Sequence, residues 1–271
     1  MERNLRSYRV MKKVAFLNLS YNSFNRNDIW KDFFDRGDQN SFNLYIHPKD
    51  DSQCVFSDYF IDNRVETAWG HFSLVEATIE LMKAALEDED NEYFTLISDS
   101  HAPLYSLDEA TKLIKQKYEK MTFSTHGAIS TKGKSQRVLK HGVQGDHCFN
   151  LYNAVCQFFV CRRKDAICFI ETFDHYSKFF IKNKVIFADE FYFWAVAREL
   201  KALYQMDFDI GQASTYSDWH AYIVGGTNKI ARQPREEISL NSLVLKALRH
   251  QGYIFTRKVM PTTKISADIF N

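Results

Sequence analysis

Residues 73–101, SLVEATIELMKAALEDEDNEYFTLISDSH, carry the pattern that decides the fold. Leu74, Ala77, Ile79, Leu81, Ala84 and Ala85 share one broad face, so the spacing predicts an amphipathic helix from about Ser73 to Leu86. Ser73 and Glu76 stand as an S-x-x-E capping box at its start. Asp88-Glu89-Asp90 follows as solvated charge at the helix end, and Tyr93 to Ile97 is a short apolar run that reads as a buried strand. The strand closes on Ser98-Asp99-Ser100-His101.

The same alternation extends outward. KVAFLNL at 13–19 and FNLYIH at 42–47 read as buried strands separated by a helical stretch around Ile29 to Phe34, and another helix is expected from about Leu107 to Tyr118. A β-α-β-α-β-α order argues an α/β fold, an open and mostly parallel sheet flanked by helices. Ligands of such sheets sit beyond the carboxyl ends of the strands, here Asn18–Asn22, His47–Asp50 and Ser98–His101. Farther on, residues 125–147 read as a polar, basic loop on that same side. Helical patterning returns at about 150–161 and 189–204, with a helix and then a strand near 241–259. Neither a repeat nor a linker interrupts the chain, which reads as a single domain over 1–271.

Composition narrows the class. The 271 residues include 23 Phe and 14 Tyr but only 10 Gly and 4 Pro, which excludes collagen-like, linker-rich and low-complexity chains. A chain of this length hides roughly three quarters of its unfolded surface and needs no disulfide staple. Basic and acidic residues balance at 35 and 34, so no overall field recruits a polyanion and nucleic acid is not an expected partner. The run Val14 to Leu19, interrupted by Asn18, is too short for a signal segment or a membrane span. Cys54, Cys148, Cys156, Cys161 and Cys168 form no regular framework, as for reduced thiols in a cytosol-like compartment, and Cys156-x4-Cys161 lacks the partner pair of a zinc site. The expectation is a cytoplasmic protein.

Familiar motifs fail on spacing. There is no G-x-G-x-x-G, H-E-x-x-H or G-x-S-x-G, and AISTKGKS at 128–135 has Ala128 where a P-loop needs glycine. Three constellations remain. Asp99 ends a buried strand, where an acid reaches a sugar, a ribose or a metal, or caps local backbone. Asp189-Glu190 opens the run FYFWAVAREL, where acids either complement a helix dipole or offer a base at a cleft. Arg257-Lys258 ends an apolar segment as an anion clamp or as two solvated cations. Lys132, Lys134, Arg137 and Lys140 read first as a solvated face.

Together these segments resemble the core-2/I-branching glycosyltransferase family, which includes branching N-acetylglucosaminyltransferases, peptide O-xylosyltransferases and glucuronosyltransferases. FNLYIHPKD looks like its second-strand block, AWGHFSLVEATIELMKAAL like its W-G-x-x-S-x-V-x-A helix, and YFTLISDSHAPLYSL like its F-x-L-L-S-[DE]-S-x-x-P-L loop. VQGDHCFNLYNA is a poorer likeness of the G-S-Q-W-F-x-L-x-R block. ADEFYFWAVAREL, STYSDW and YIFTRKVMP resemble the P-D-E-x-Y, T-x-x-D-W and F-A-R-K-F blocks, in the family's order.

The resemblance implies a GT-A-like fold with a nucleotide-sugar half at about 13–124 and an acceptor and catalytic half at about 125–271. It further implies an inverting, β-linking transfer of xylose or N-acetylglucosamine from a UDP-sugar donor to a glycan acceptor. No metal and no other cofactor are expected. By similarity Glu190 is the general base and Asp189 orients its helix or touches the acceptor. Lys258, with Arg257 beside it and Arg232 or Arg235 from the preceding segment, balances the departing UDP. Asp99 and His47 fall near the donor, and Trp69 and Trp219 stack on sugar or pack in the core. Gly145-Asp146-His147-Cys148 and Ala188 depart from the family pattern and put the acceptor preference in doubt. Eukaryotic members of the family carry a membrane anchor and disulfides, so the resemblance points to a soluble microbial or viral version; the sequon Asn18-Leu19-Ser20 falls in a buried strand and is discounted. The rival readings are a binding protein without turnover on the same fold, and a metal-dependent transferase using Asp99.

Overall fold

A computed structural model describes residues 12–52, 55–124, 154–218, 221–224, 227–230 and 235–270. At its centre β1 (Lys13–Ser20) pairs in parallel with β2 (Phe42–Pro48) on one side and β3 (Asn91–Ser98) on the other. Val14, Ala15, Phe16 and Leu17 are at most 1% exposed, because a strand inside a parallel sheet is covered on both faces. Six strands follow the order β2-β1-β3-β6-β5-β7, with β5 at Met121–Phe123, β6 at Val160–Arg162 and β7 at Phe208–Ile210. Only β6 runs against the others, antiparallel to both β3 and β5.

Val14 and Phe16 face α1 (Asn27–Arg36) and α3 (Leu107–Lys117). Ala15 and Leu17 face α2 (Ser73–Leu86), α4 (Arg163–Glu171) and α6 (Tyr192–Tyr204), with α5 (Phe173–Lys182) beside them. Trp30, Phe33 and Phe34 fall on one buried stripe of α1. Phe16 meets Phe33 and Phe34 edge-on at 5.8 and 5.6 Å, contacts worth about 0.5–1.5 kcal/mol each beyond their burial. The Trp30 indole N–H donates to the His101 carbonyl at 2.9 Å, tying α1 to the loop after β3.

A smaller three-stranded sheet, in the order β4-β12-β8, gathers segments remote in sequence: β4 (Ala102–Pro103), β8 (Thr215–Ser217) and β12 (Phe255–Arg257). β9 (Ala221–Val224) and β10 (Thr227–Ile230) form an antiparallel pair, and β11 (Glu237–Leu240) pairs in parallel with β13 (Val259–Ile265). α7 (Ser242–His250) lies between β11 and β12 in the chain, and the Asn241 side chain caps it, accepting from the Leu243 and Val244 N–H groups. Among the described residues no helix is long and apolar enough to cross a membrane.

Three local expectations need correction. Ser73 is not the cap of α2: it is already helical, no side chain caps that end, and its Oγ accepts from the Ala68 N–H. The capping box belongs to Ser106 and Glu109, at the start of α3. The described part of 150–161 is extended chain leading into β6, and Asp189-Glu190 lie in a separate 3-10 turn, Ala188–Glu190, before α6 begins at Tyr192.

Candidate active site

The loops after β1, β2 and β3 are bonded to one another at the carboxyl edge of the sheet. Asp99 Oδ2 accepts from the Tyr21 N–H at 3.2 Å, and its carbonyl accepts from Asn25 at 2.9 Å. Lys49 and Asp50 donate in turn to the carbonyls of Ser20 and Tyr21. Burial raises the Asp99 pKa above the usual carboxylate value, opposed by the Tyr21 and Ser100 N–H groups and by the cations of Arg257 and Lys258. Asp99 therefore lies within electrostatic reach of the C-terminal pair.

β12 brings that pair there. Its antiparallel pairing with β4 sets Thr256 opposite Ala102, its parallel pairing with β8 sets Arg257 opposite Ser217, and the Val259 N–H donates to the Ser100 carbonyl. Arg257 is not one of two solvated cations. Its Nε is fully buried with no hydrogen-bond partner among the described residues, and the guanidinium carbon lies 4.5 Å from the centroid of the Phe158 ring. Burial lowers its pKa from the usual arginine value, against the pull of Cys156, Asp99, Asp189 and Glu190. An arginine stays charged throughout the physiological range even so, so this is a positive charge held among carboxylates with little water. Lys258 is half-buried, and its carbonyl accepts from the Glu237 N–H at 2.7 Å.

The carboxylates arrive on the 3-10 turn. Phe187, which precedes it, takes a left-handed φ of 55° and donates its N–H to the Gly70 carbonyl at 2.8 Å. Gly70 itself has φ +75°, and a Cβ there would stand 3.1 Å from the Phe187 ring. Trp69, 74% exposed, packs edge-on against that ring at 5.0 Å. The Trp69-Gly70 segment thus holds the turn that carries Asp189 and Glu190, both half-buried.

The other expected residues are placed differently. His47 is fully buried, its Nε2 accepts from the Val65 N–H at 2.9 Å, and burial lowers its pKa; it fastens the chain near residue 65 to β2. Arg235 is exposed, with its N–H on the Asp218 carbonyl. Arg232, Trp219, the basic loop and Gly145–Cys148 lie outside the described residues. Among the described residues no group of three His, Cys, Asp or Glu side chains is arranged to hold a metal ion.

One segment escaped the sequence reading. Val155 donates to the Glu190 carbonyl at 2.9 Å, and three residues later Phe158 underlies Arg257.

The mostly parallel central sheet flanked by helices is the architecture of a GT-A-like fold. Among curated proteins, Glycosyltransferase BC10 of Oryza sativa subsp. japonica is 33% identical over 103 residues, which make up 35% of this chain and 26% of the rice protein. The sequence profile described as Core-2/I-Branching enzyme matches residues 14–244. A match that enters at β1, passes through the Asp99 loop and the Glu190 turn and ends inside α7 takes in most of the chain, so this protein belongs to the core-2/I-branching enzyme family of glycosyltransferases.

Proposed function

We propose that the protein transfers xylose or N-acetylglucosamine from a UDP-sugar to a glycan hydroxyl, in one inverting displacement that gives a β linkage and needs no metal ion. The observation that carries this reading is the Arg257 charge, its Nε buried, set near Asp99 from the loop after β3 and Asp189 and Glu190 from the 3-10 turn. In the reaction the Glu190 carboxylate takes the acceptor hydroxyl proton as that oxygen bonds to the anomeric carbon. The bond from that carbon to the β-phosphate oxygen breaks on the opposite face, and UDP leaves with the electron pair. Lys258 and Arg257 balance the charge that grows on the diphosphate. Each such preorganised cation is worth on the order of 100-fold in rate. Asp99 contacts the donor, and Asp189 orients the turn that bears the base.

The test is UDP release from a panel of UDP-sugars with glycan acceptors, with and without EDTA and with added manganese. Turnover of UDP-xylose or UDP-N-acetylglucosamine that survives chelation is expected. Loss of activity with EDTA and its return with manganese would favour a metal-dependent transferase using Asp99. UDP binding without consumption of any donor would leave a binding protein on the same fold.

A further inference from the structure

The Arg257 guanidinium rests on a residue that the proposed reaction does not use. Phe158 is 2% exposed, and its ring centroid lies 4.5 Å from the Arg257 guanidinium carbon. The fully buried His101 packs edge-to-face against the same ring at 4.4 Å and 74°. The His101 Nδ1 accepts from the Ser98 N–H at 3.0 Å, which fixes that ring in turn. Burial and the neighbouring Arg257 hold His101 well below its usual pKa, so it adds no second positive charge beneath the guanidinium. The Arg257 Nε is buried and has no hydrogen-bond partner among the described residues, so the aromatic face is the contact on that part of the side chain.

Phe158 is itself anchored through its backbone neighbours. The Cys156 N–H donates to the Ser124 carbonyl, the Leu96 N–H to the Phe159 carbonyl, and the Val155 N–H to the Glu190 carbonyl. One short segment therefore touches the turn that carries the base at Val155 and the cation at Phe158. A cation over an aromatic face is attracted by the ring quadrupole, and more strongly where water is excluded.

We propose that Phe158 is the positioning residue of the leaving-group site: its ring face holds the Arg257 guanidinium at a fixed distance from the Glu190 turn. An aliphatic side chain of similar volume fills the space but offers no ring face, and leaves the guanidinium to wander. The inference rests on the glycosyl-transfer reading above and adds to it a residue that acts only through Arg257.

A double-mutant cycle tests it. UDP affinity by titration calorimetry and UDP-sugar turnover are measured for wild type, Phe158→Leu, Arg257→Met and the double variant, with melting curves to verify folding. Phe158→Leu is expected to weaken UDP binding and lower kcat by about tenfold in the wild-type background and by less than twofold once Arg257 is gone. Phe158→Trp, which restores a ring face, is expected to recover most of the loss. If Phe158→Leu does not fold, Phe158→Met takes its place. Equal losses in both backgrounds, beside a normal wild type and an impaired Arg257→Met, overturn this inference alone. A wild type that neither binds UDP nor releases it from any UDP-sugar overturns the glycosyl-transfer reading and this inference with it.

Discussion

The Val155 N–H donates to the Glu190 carbonyl across 2.9 Å, so the turn carrying the proposed base is bonded to the chain that leads into β6. Together with the bond from Phe187 to Gly70, this fixes the turn from two sides. A carboxylate held in this way loses little orientation entropy when a hydroxyl arrives.

Glu190→Gln keeps the shape of the side chain and removes the base. A positioned general base contributes on the order of 10² to 10⁴ in rate. The expected result is a fall in kcat of that size with little change in the KM for the UDP-sugar, measured by UDP release. Asp189→Asn is expected to cost less, because its proposed role is orientation. Near-normal turnover of Glu190→Gln would rule out the base assignment.

Gly70→Ala tests whether the tryptophan-glycine segment supports that turn. Gly70 has φ +75°, where an L side chain costs about 1–2 kcal/mol, and its new Cβ would press on the Phe187 ring at 3.1 Å. Both effects push Phe187 and the turn behind it. A lower melting temperature together with a drop in kcat is expected; a drop in stability with unchanged kcat in the folded fraction would show that the turn is held without Gly70.

Much of this was legible in the sequence, and the failures have physical causes. β1, β2 and β3 were found because their apolar runs are bounded by turns, and α1 to α3 because their apolar faces keep a helical period. The helix expected at about 150–161 is extended chain over its described residues because Val155, Cys156, Phe158, Phe159 and Val160 form a nearly continuous apolar run, which has no period to separate strand from helix. Ser73 and Glu76 have the spacing of a capping box, but the turns formed by His71 N–H to Ala68 and Leu74 N–H to His71 start the coil earlier and leave the Ser73 hydroxyl to Ala68. The seating of the Arg257 Nε against Phe158 was out of reach, since Phe158 lies about a hundred residues away in the chain and nothing local in FTRKV separates a packed guanidinium from a solvated one.

Trp30→Phe probes the link from α1 to the loop that follows Asp99. It keeps most of the aromatic packing but leaves the His101 carbonyl without its indole donor. Loss of one such buried bond costs about 1–3 kcal/mol. The expected outcome is a destabilisation of that size in urea unfolding, with an unchanged slope; a change under 0.5 kcal/mol would mean that the carbonyl finds another donor.

Two buried imidazoles, His47 and His101, make the protein sensitive to acid. Burial holds the folded pKa of His47 below the usual 6.5 and that of His101 well below it. In the unfolded chain both protonate near 6.5, so below that pH the unfolded state binds protons that the folded state does not. Stability then falls as pH drops below about 6.5, by about 1.4 kcal/mol per pH unit for each group until its own folded pKa is passed. Asp99 and Asp165 act in the opposite sense, because burial raises their folded pKa values above the usual 3.8 and acid relieves their desolvation. The histidine part is therefore isolated by difference. His101→Gln keeps an acceptor for the Ser98 N–H and has no proton to bind, so between pH 7 and 5.5 its unfolding free energy is expected to fall less steeply than that of wild type, by about one proton's worth of slope. Parallel curves for the two proteins would show that His101 binds its proton in the folded state as readily as in the unfolded one.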